Sequence, residues 1–326
     1  MQLTQRFRRL RRTSALRDLV RETQLSVNDL IMPIFIEEDI DTPVAIRTLP
    51  GISRYPESML ADQMKQAQAA GIKSVILFGI SHNKDAIGAD SWNEEGLMAR
   101  MIRSAKEAAP EMVVISDNCF CEYTAHGHCG VICDQDVDND KTLLNLQKQV
   151  VVAAKAGVDM IAPSGMMDGM IAAIREALDS NGFEYIPVMS YSTKFSSNYY
   201  GPFREAVDSS FNGTRDSYQL DFGNRKEALA ESLRDAEEGA DILMVKPGIA
   251  YLDLLSDIRR HTHHPLAVYQ VSGEYAMIKF ADQAGAVDGK ALMMENLIAF
   301  KRAGADLIIT YFALEAAAVL NQQSRL

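Results

Sequence analysis

The sequence predicts an α/β fold, a (β/α)8 barrel of the TIM type with an extended N-terminal arm, on three observations. A short phrase recurs four times, as Ala70-Gly71-Ile72-Lys73, Ala156-Gly157-Val158-Asp159, Gly239-Ala240-Asp241 and Ala303-Gly304-Ala305-Asp306, each directly before an apolar run. Those runs are short and apolar throughout, the pattern of strands buried on both faces of a parallel sheet. Between them lie stretches whose apolar residues recur at helical spacing, so strand and helix alternate along the chain.

Taken in order, the predicted strands are 30–36, 74–78, 112–116, 160–162, 186–191, 242–245, 266–271 and 307–309. Helical stretches fall at 59–70, 143–155, 170–178, 226–238 and 291–302. The glycine of each recurring phrase suits the left-handed turn just past a helix, which is why the phrase ends one element and begins the next. Eight strands favour a closed barrel over the alternative, an open doubly wound sheet. Segment 195–222 is a long insertion rich in Ser, Asn, Tyr, Phe and Gly, and we read it as an irregular lid. Residues 1–28 form the arm and 29–326 the barrel domain.

With 326 residues, nearly half of them hydrophobic, the chain can bury a sizeable core in one barrel. No apolar run approaches the roughly 20 residues of a membrane span, and nothing resembles a signal peptide, so a soluble cytoplasmic protein is expected. The net charge of -11 is unevenly placed. Residues 1–21 carry seven arginines against one aspartate, a net +6 that leaves -17 on the remainder. So acidic a body disfavours nucleic acid and anionic membranes as partners, whereas a basic arm beside it can dock on another copy.

Catalytic groups in such barrels stand at the C-terminal ends of the strands. Six polar residues fall there: Asp117, Ser164, Lys194, Lys246, Ser272 and Tyr311. Lys246 closes the run Ile242-Leu243-Met244-Val245, and Lys194 follows a second strand-like stretch. A poorly solvated ammonium favours its neutral form, which is the form that attacks a ketone, and two neighbouring amines depress each other further. Two such lysines point to two carbonyl substrates. Arg204 and Arg215 in the lid can grip a carboxylate bidentately.

Four cysteines in a chain this long do not make a disulfide framework. Three of them, Cys119, Cys121 and Cys129, crowd within eleven positions, with Cys133, His126 and His128 near enough to supply a fourth ligand. Three thiolates and an open position suit a zinc ion used for chemistry.

Three segments carry a resemblance: Cys119-Phe120-Cys121-Glu122-Tyr123-Thr124-Ala125-His126-Gly127-His128-Cys129-Gly130, Met189-Ser190-Tyr191-Ser192-Thr193-Lys194-Phe195, and Asp241 through Tyr251. They resemble the porphobilinogen synthase (5-aminolevulinate dehydratase) family, and the likeness runs from the arm to the last strand. It implies condensation of two 5-aminolevulinate molecules to porphobilinogen with loss of two waters, in tetrapyrrole and heme biosynthesis. By that resemblance Lys194 and Lys246 form the Schiff bases, and Asp117 steadies an amine or a metal-bound water. Arg204, Arg215 and Gln219 hold one carboxylate and Ser272 with Tyr311 the other, with Ser164 also at the substrate. The resemblance puts zinc on Cys119, Cys121 and Cys129, an allosteric magnesium on Glu231, and the subunits in a homo-octamer whose arms embrace neighbours. Phe222 stands where the family pattern has proline.

Two rival readings predict something different. A class I aldolase on this fold commonly binds phosphate through glycine-rich loops after strands seven and eight, but Ser272-Gly273-Glu274-Tyr275 and Tyr311-Phe312-Ala313-Leu314 form no such cradle. A zinc-holding scaffold without chemistry would leave both lysines with ordinary ammonium groups. The tract Arg259, Arg260, His261, His263 and His264 reads as the basic end of a helix rather than a metal site.

Overall fold

The computed structural model describes residues 4–207 and 213–323, so residues 208–212 of the predicted lid lie outside the described residues. Eight parallel strands form the barrel: β1 (Leu30–Glu37), β2 (Ser74–Ile80), β3 (Val113–Asn118), β4 (Met160–Pro163), β5 (Met189–Lys194), β6 (Ile242–Lys246), β7 (Leu266–Gln270) and β8 (Leu307–Thr310). Each pairs with its neighbour in chain order, and β8 returns to β1. The circle is completed by a parallel bridge between Ile161 and Val188, where the Ile161 N–H donates to the Pro187 carbonyl at 3.0 Å. All eight residues of β1 and all five of β6 and of β7 are buried, as expected of strands with helices on one face and the barrel interior on the other.

The main outer helices are α1 (Leu60–Ala69), α2 (Leu97–Ala108), α3 (Asn139–Lys155), α4 (Met170–Ser180), α5 (Arg225–Glu237), α6 (Leu252–His261), α7 (Ser272–Gln283), α8 (Gly289–Ala303) and α9 (Ala313–Gln323). Helix α6 ends in Arg259, Arg260 and His261, the basic helix terminus expected from the sequence. The glycines of the recurring phrase, Gly71, Gly157, Gly239 and Gly304, all have φ between +85° and +119°, the left-handed region that an ordinary side chain resists. One phrase thus ends four of the helices.

Two local expectations change. Strands β3 and β5 run two and three residues further than the apolar runs suggested, so Asp117 and Lys194 lie on strands, not beyond them. Polar residues at a barrel mouth still pair as strand. The lid is also not wholly irregular: Asn198–Tyr200 forms a 3-10 turn and Gly201–Ala206 a short helix with Pro202 in its first turn. Ala206 and Val207 are buried beneath it, which gives this segment an apolar face to fold against. The lid then rejoins the barrel, where the Leu220 N–H donates to the Lys194 carbonyl at 3.1 Å and the Ser196 N–H to the Leu220 carbonyl at 2.9 Å. Phe222 follows as an exposed residue, and a turn in which the Asn224 N–H donates to the Asp221 carbonyl at 2.9 Å makes the exit without proline. In the arm, Phe7–Arg11 and Ser14–Leu19 form short helical segments with no buried residue. No helix among the described residues is long and apolar enough to cross a membrane.

Candidate active site

Strand alternation alone would not bring the site together, because Tyr191 and Lys194 are three residues apart and belong on opposite faces of a regular strand. The pairing of β5 with β6 contains a register shift. Leu243 opposes Ser190, yet Val245, two residues on, opposes Thr193, so β5 carries one extra residue. This bulge lets Ser192 and Thr193 both reach Ser232 of α5, at 2.8 and 2.6 Å, while Tyr191 and Lys194 both approach the Lys246 side. Bulges of this kind re-aim side chains beside active sites. Lys194 and Lys246 are register partners, and the same Tyr191 ring lies 5.6 Å from one Nζ and 4.9 Å from the other.

Lys246 is buried in an aromatic cage. Its Nζ lies 4.4 Å from the Tyr269 ring centroid, 5.2 Å from Phe203 and 5.5 Å from Tyr200, besides Tyr191. Ring faces attract a cation but replace neither its lost water nor a counterion. Burial first, and the charge of Lys194 second, bring the Lys246 amine down to about 7. At neutral pH a large fraction is therefore unprotonated and nucleophilic. Lys194 is buried too, and its Nζ donates to the Ser164 carbonyl.

Asp117 stands across the barrel on β3. Its Oδ1 accepts from the Tyr191 hydroxyl at 2.8 Å and its Oδ2 from the Ser164 hydroxyl at 3.3 Å. Burial pushes this carboxyl up, against the opposing pull of Lys246 and Lys194. A carboxyl group so placed can give or take a proton within the site.

Just past β3, the Sγ atoms of Cys119, Cys121 and Cys129 lie within 4.8 Å of one another, all buried, and Cys119 and Cys121 approach to 3.2 Å. Hydrogen bonding from the other two thiols, helped by Arg215, holds Cys129 well below the ordinary thiol range, so this cluster readily carries a thiolate. Cys133, His126 and His128 do not join the group among the described residues. Cys133 takes the Lys141 ammonium at 3.4 Å, His126 contacts the Ala86 carbonyl at 3.1 Å, and His128 Nδ1 contacts the Tyr218 hydroxyl at 3.2 Å. Three soft donors converging on one point suit zinc by chemistry and by number.

A cavity of about 400 Å³ opens beside these groups, walled by Asp117, Cys121, Glu122, Ser164, Lys194 and Lys246 from the barrel, and by Arg204, Arg215 and Gln219 from the lid. Arg215 fastens the lid to the cysteine loop, its Nη2 donating to the Gly127 carbonyl at 2.8 Å. Burial disfavours its charge, but Cys129, Cys121, Tyr218 and Cys119 together more than offset this and the guanidinium stays protonated. Gln219 is buried, and among the described residues its Nε2 has no acceptor. Arg204 is exposed on the cavity wall.

Ser272 and Tyr311 do not line this cavity. Ser272 begins α7, and its hydroxyl accepts from the Phe203 N–H at 3.0 Å and donates to the Tyr199 carbonyl at 3.3 Å, so it is bonded to the lid. The Tyr311 hydroxyl lies 3.2 Å from that of Tyr269, its ring stacked on Phe35. Phe203 packs on the same Phe35 at 6.1 Å. Glu231 lies elsewhere, on α5, where burial and then the negative charges of Asp168, Glu227 and Glu238 raise its carboxyl.

Several functional groups gave no advance signal. The four rings around Lys246 come from three separate parts of the chain, and only the fold assembles them. Glu274 shows the same thing: its buried carboxylate, pushed up to about 7 by burial, accepts from Val271, Gly248 and Ile249 N–H groups. It thereby ties the turn after Lys246 to the start of α7. The tyrosine of the Tyr191 to Lys194 spacing was visible, but its orientation depended on the bulge.

Fold and site together define a (β/α)8-barrel protein with an amine pair at its mouth and a thiol cluster beside it. The chain matches the family model described as "Delta-aminolevulinic acid dehydratase" over residues 4–319. It is 58% identical over 315 residues to the delta-aminolevulinic acid dehydratase of Escherichia coli (strain K12), covering 97% of each chain. Identity to the Helicobacter pylori protein of the same name is 49%, over 97% of this chain and 99% of that one. Among solved structures, the Toxoplasma gondii delta-aminolevulinic acid dehydratase (porphobilinogen synthase), crystallised with the reaction product porphobilinogen, superposes with a TM-score of 0.96 at 41% identity, covering 98% of this chain and 92% of that one. The chain belongs to the delta-aminolevulinic acid dehydratase family.

Proposed function

We propose that this chain condenses two molecules of 5-aminolevulinate to porphobilinogen with loss of two waters, as a hydro-lyase of heme biosynthesis. The observation that carries the reading is the pairing of the buried Lys194 and Lys246 over one tyrosine ring at the barrel mouth. The substrate is a ketone bearing a carboxylate and an amine, and the cavity offers groups complementary to each.

The unprotonated Lys246 amine attacks one substrate's ketone, and loss of water leaves a Schiff base. Lys194 captures the second substrate in the same way. Asp117 lies within reach of both and, as a carboxyl raised by burial, moves the protons that carbinolamine formation and dehydration require. Arg204, Arg215 and Gln219 hold one carboxylate; the buried Nε2 of Gln219 is a donor waiting for such an acceptor. Ser272 and Tyr311 hold the other, for which Ser272 exchanges its bond to the Tyr199 carbonyl for one to substrate. Ser164 keeps Asp117 and Lys194 in register.

Cys119, Cys121 and Cys129 hold zinc. When bound, that ion supplies Lewis acidity toward the second substrate, or a hydroxide for proton removal. Glu231 would hold an allosteric magnesium, in keeping with the negative charges of Asp168, Glu227 and Glu238 around it. The basic arm packs on neighbouring copies in a homo-octamer, and the enzyme works in the cytoplasm. The test is direct: purified protein supplied with zinc and 5-aminolevulinate forms a pyrrole detectable by NMR, and Lys246→Met forms none. Turnover undiminished in Lys246→Met refutes the reading.

A further inference from the structure

We propose that Glu274 is the positioning residue for the Lys246 amine, holding the turn that follows this lysine against the start of α7. The inference rests on the function proposed above and adds to it a residue that acts only through its neighbours. Glu274 is 1% exposed and does not line the cavity.

Lys246 is the last residue of β6, and its amine keeps its place among four rings only while the chain beyond it is fixed. That chain begins with the N–H groups of Gly248 and Ile249, and both donate to Glu274. One oxygen, Oε2, accepts from Gly248 at 3.2 Å and from Val271 at 2.7 Å, while Oε1 accepts from Ile249. Capping α7 needs the Val271 bond alone, so the other two bonds serve the turn. The two joined segments have little slack: a side-chain carbon on Gly248 would lie 2.6 Å from the Phe300 ring, and one on Gly273 2.6 Å from the Tyr199 carbonyl oxygen. Only a carboxylate can serve all three donors. An amide turned either way sets its own NH2 against a backbone N–H and leaves at least one buried donor unpaired.

The test is Glu274→Gln in protein supplied with zinc, with borohydride trapping of 4-oxopentanoate, a keto acid that lacks the amine, quantified separately on Lys246 and Lys194. Leaving a buried N–H unpaired shifts the balance between the observed turn and one that has let go by about ten-fold or more. A reacting group displaced by about 1 Å loses rate by about 10²-fold. Glu274→Gln is therefore expected to trap Lys246 at least about ten-fold more slowly and to lose turnover to match, with Lys194 trapping within about twofold of wild type and zinc per chain unchanged. A residue that merely capped α7 would slow neither lysine, because Gln still accepts from Val271 with its one oxygen. An unchanged Lys246 rate overturns the proposal, and so does equal loss at both lysines together with zinc, the outcome of a barrel that has come loose as a whole. A wild type in which borohydride traps no adduct on Lys194 or Lys246 refutes the parent reading instead, so the two failures are distinguishable.

Discussion

Replacing Lys194 with methionine should raise the pH at which Lys246 becomes reactive. The two Nζ atoms lie 5.6 and 4.9 Å from the same ring centroid, so they are no more than about 10 Å apart. At an effective dielectric constant of about 20, unit charges about 10 Å apart repel by about 1.6 kcal/mol. That energy corresponds to about one pKa unit on Lys246. The sign follows from the charge: removing a neighbouring cation makes protonation easier, so the midpoint moves upward from about 7 and less neutral amine is present at pH 7. The assay is borohydride trapping of 4-oxopentanoate at a series of pH values, with the Lys246 peptide quantified by mass spectrometry. Wild type should show half-maximal trapping near pH 7, and Lys194→Met about one unit higher, with an unchanged plateau at high pH. An unmoved midpoint would mean that the lysines do not share a field. A wild-type midpoint near that of free lysine would mean that the barrel mouth is not dry.

Two further outcomes follow from groups around the site. Cys129→Ala should lose zinc, measured as metal per chain, together with turnover, while the circular dichroism of the barrel is retained; full turnover without metal would contradict the role given to the thiols. Asp235, half-buried behind β5 where the Ser190 hydroxyl donates to it, is pushed up to about 7 by desolvation and by Glu238 and Glu231. A folded-state carboxyl raised in this way contributes stability below its unfolded pKa that is lost as pH rises through about 7. Asp235→Asn keeps the acceptor for Ser190, so its stability advantage in urea unfolding should be about 2 kcal/mol larger at pH 8 than at pH 5.

Much of the barrel was legible because its signals are local. A left-handed glycine after a helix and a strand apolar on both faces are dictated by a few adjacent residues, and Gly71, Gly157, Gly239 and Gly304 all behave as that rule requires. The lysines were legible for a related reason, since a cation ending an apolar strand costs solvation that only function repays. What escaped was non-local or hinged on one residue of register. The bulge on β5 decides whether Tyr191 or Ser192 faces Lys194, and no local composition announces it. The lid helix at Gly201–Ala206 depends on the buried face that the barrel supplies to Ala206 and Val207. Ser272 could be placed at a strand end, but its bonds to Phe203 and Tyr199 reflect lid packing, which comes from a segment some seventy residues earlier.

The central claim is that two buried amines each capture one keto acid. Incubating the protein with 5-aminolevulinate, reducing with borohydride and mapping the modified peptides tests it most directly. The account predicts label on both Lys194 and Lys246; label on neither would contradict it.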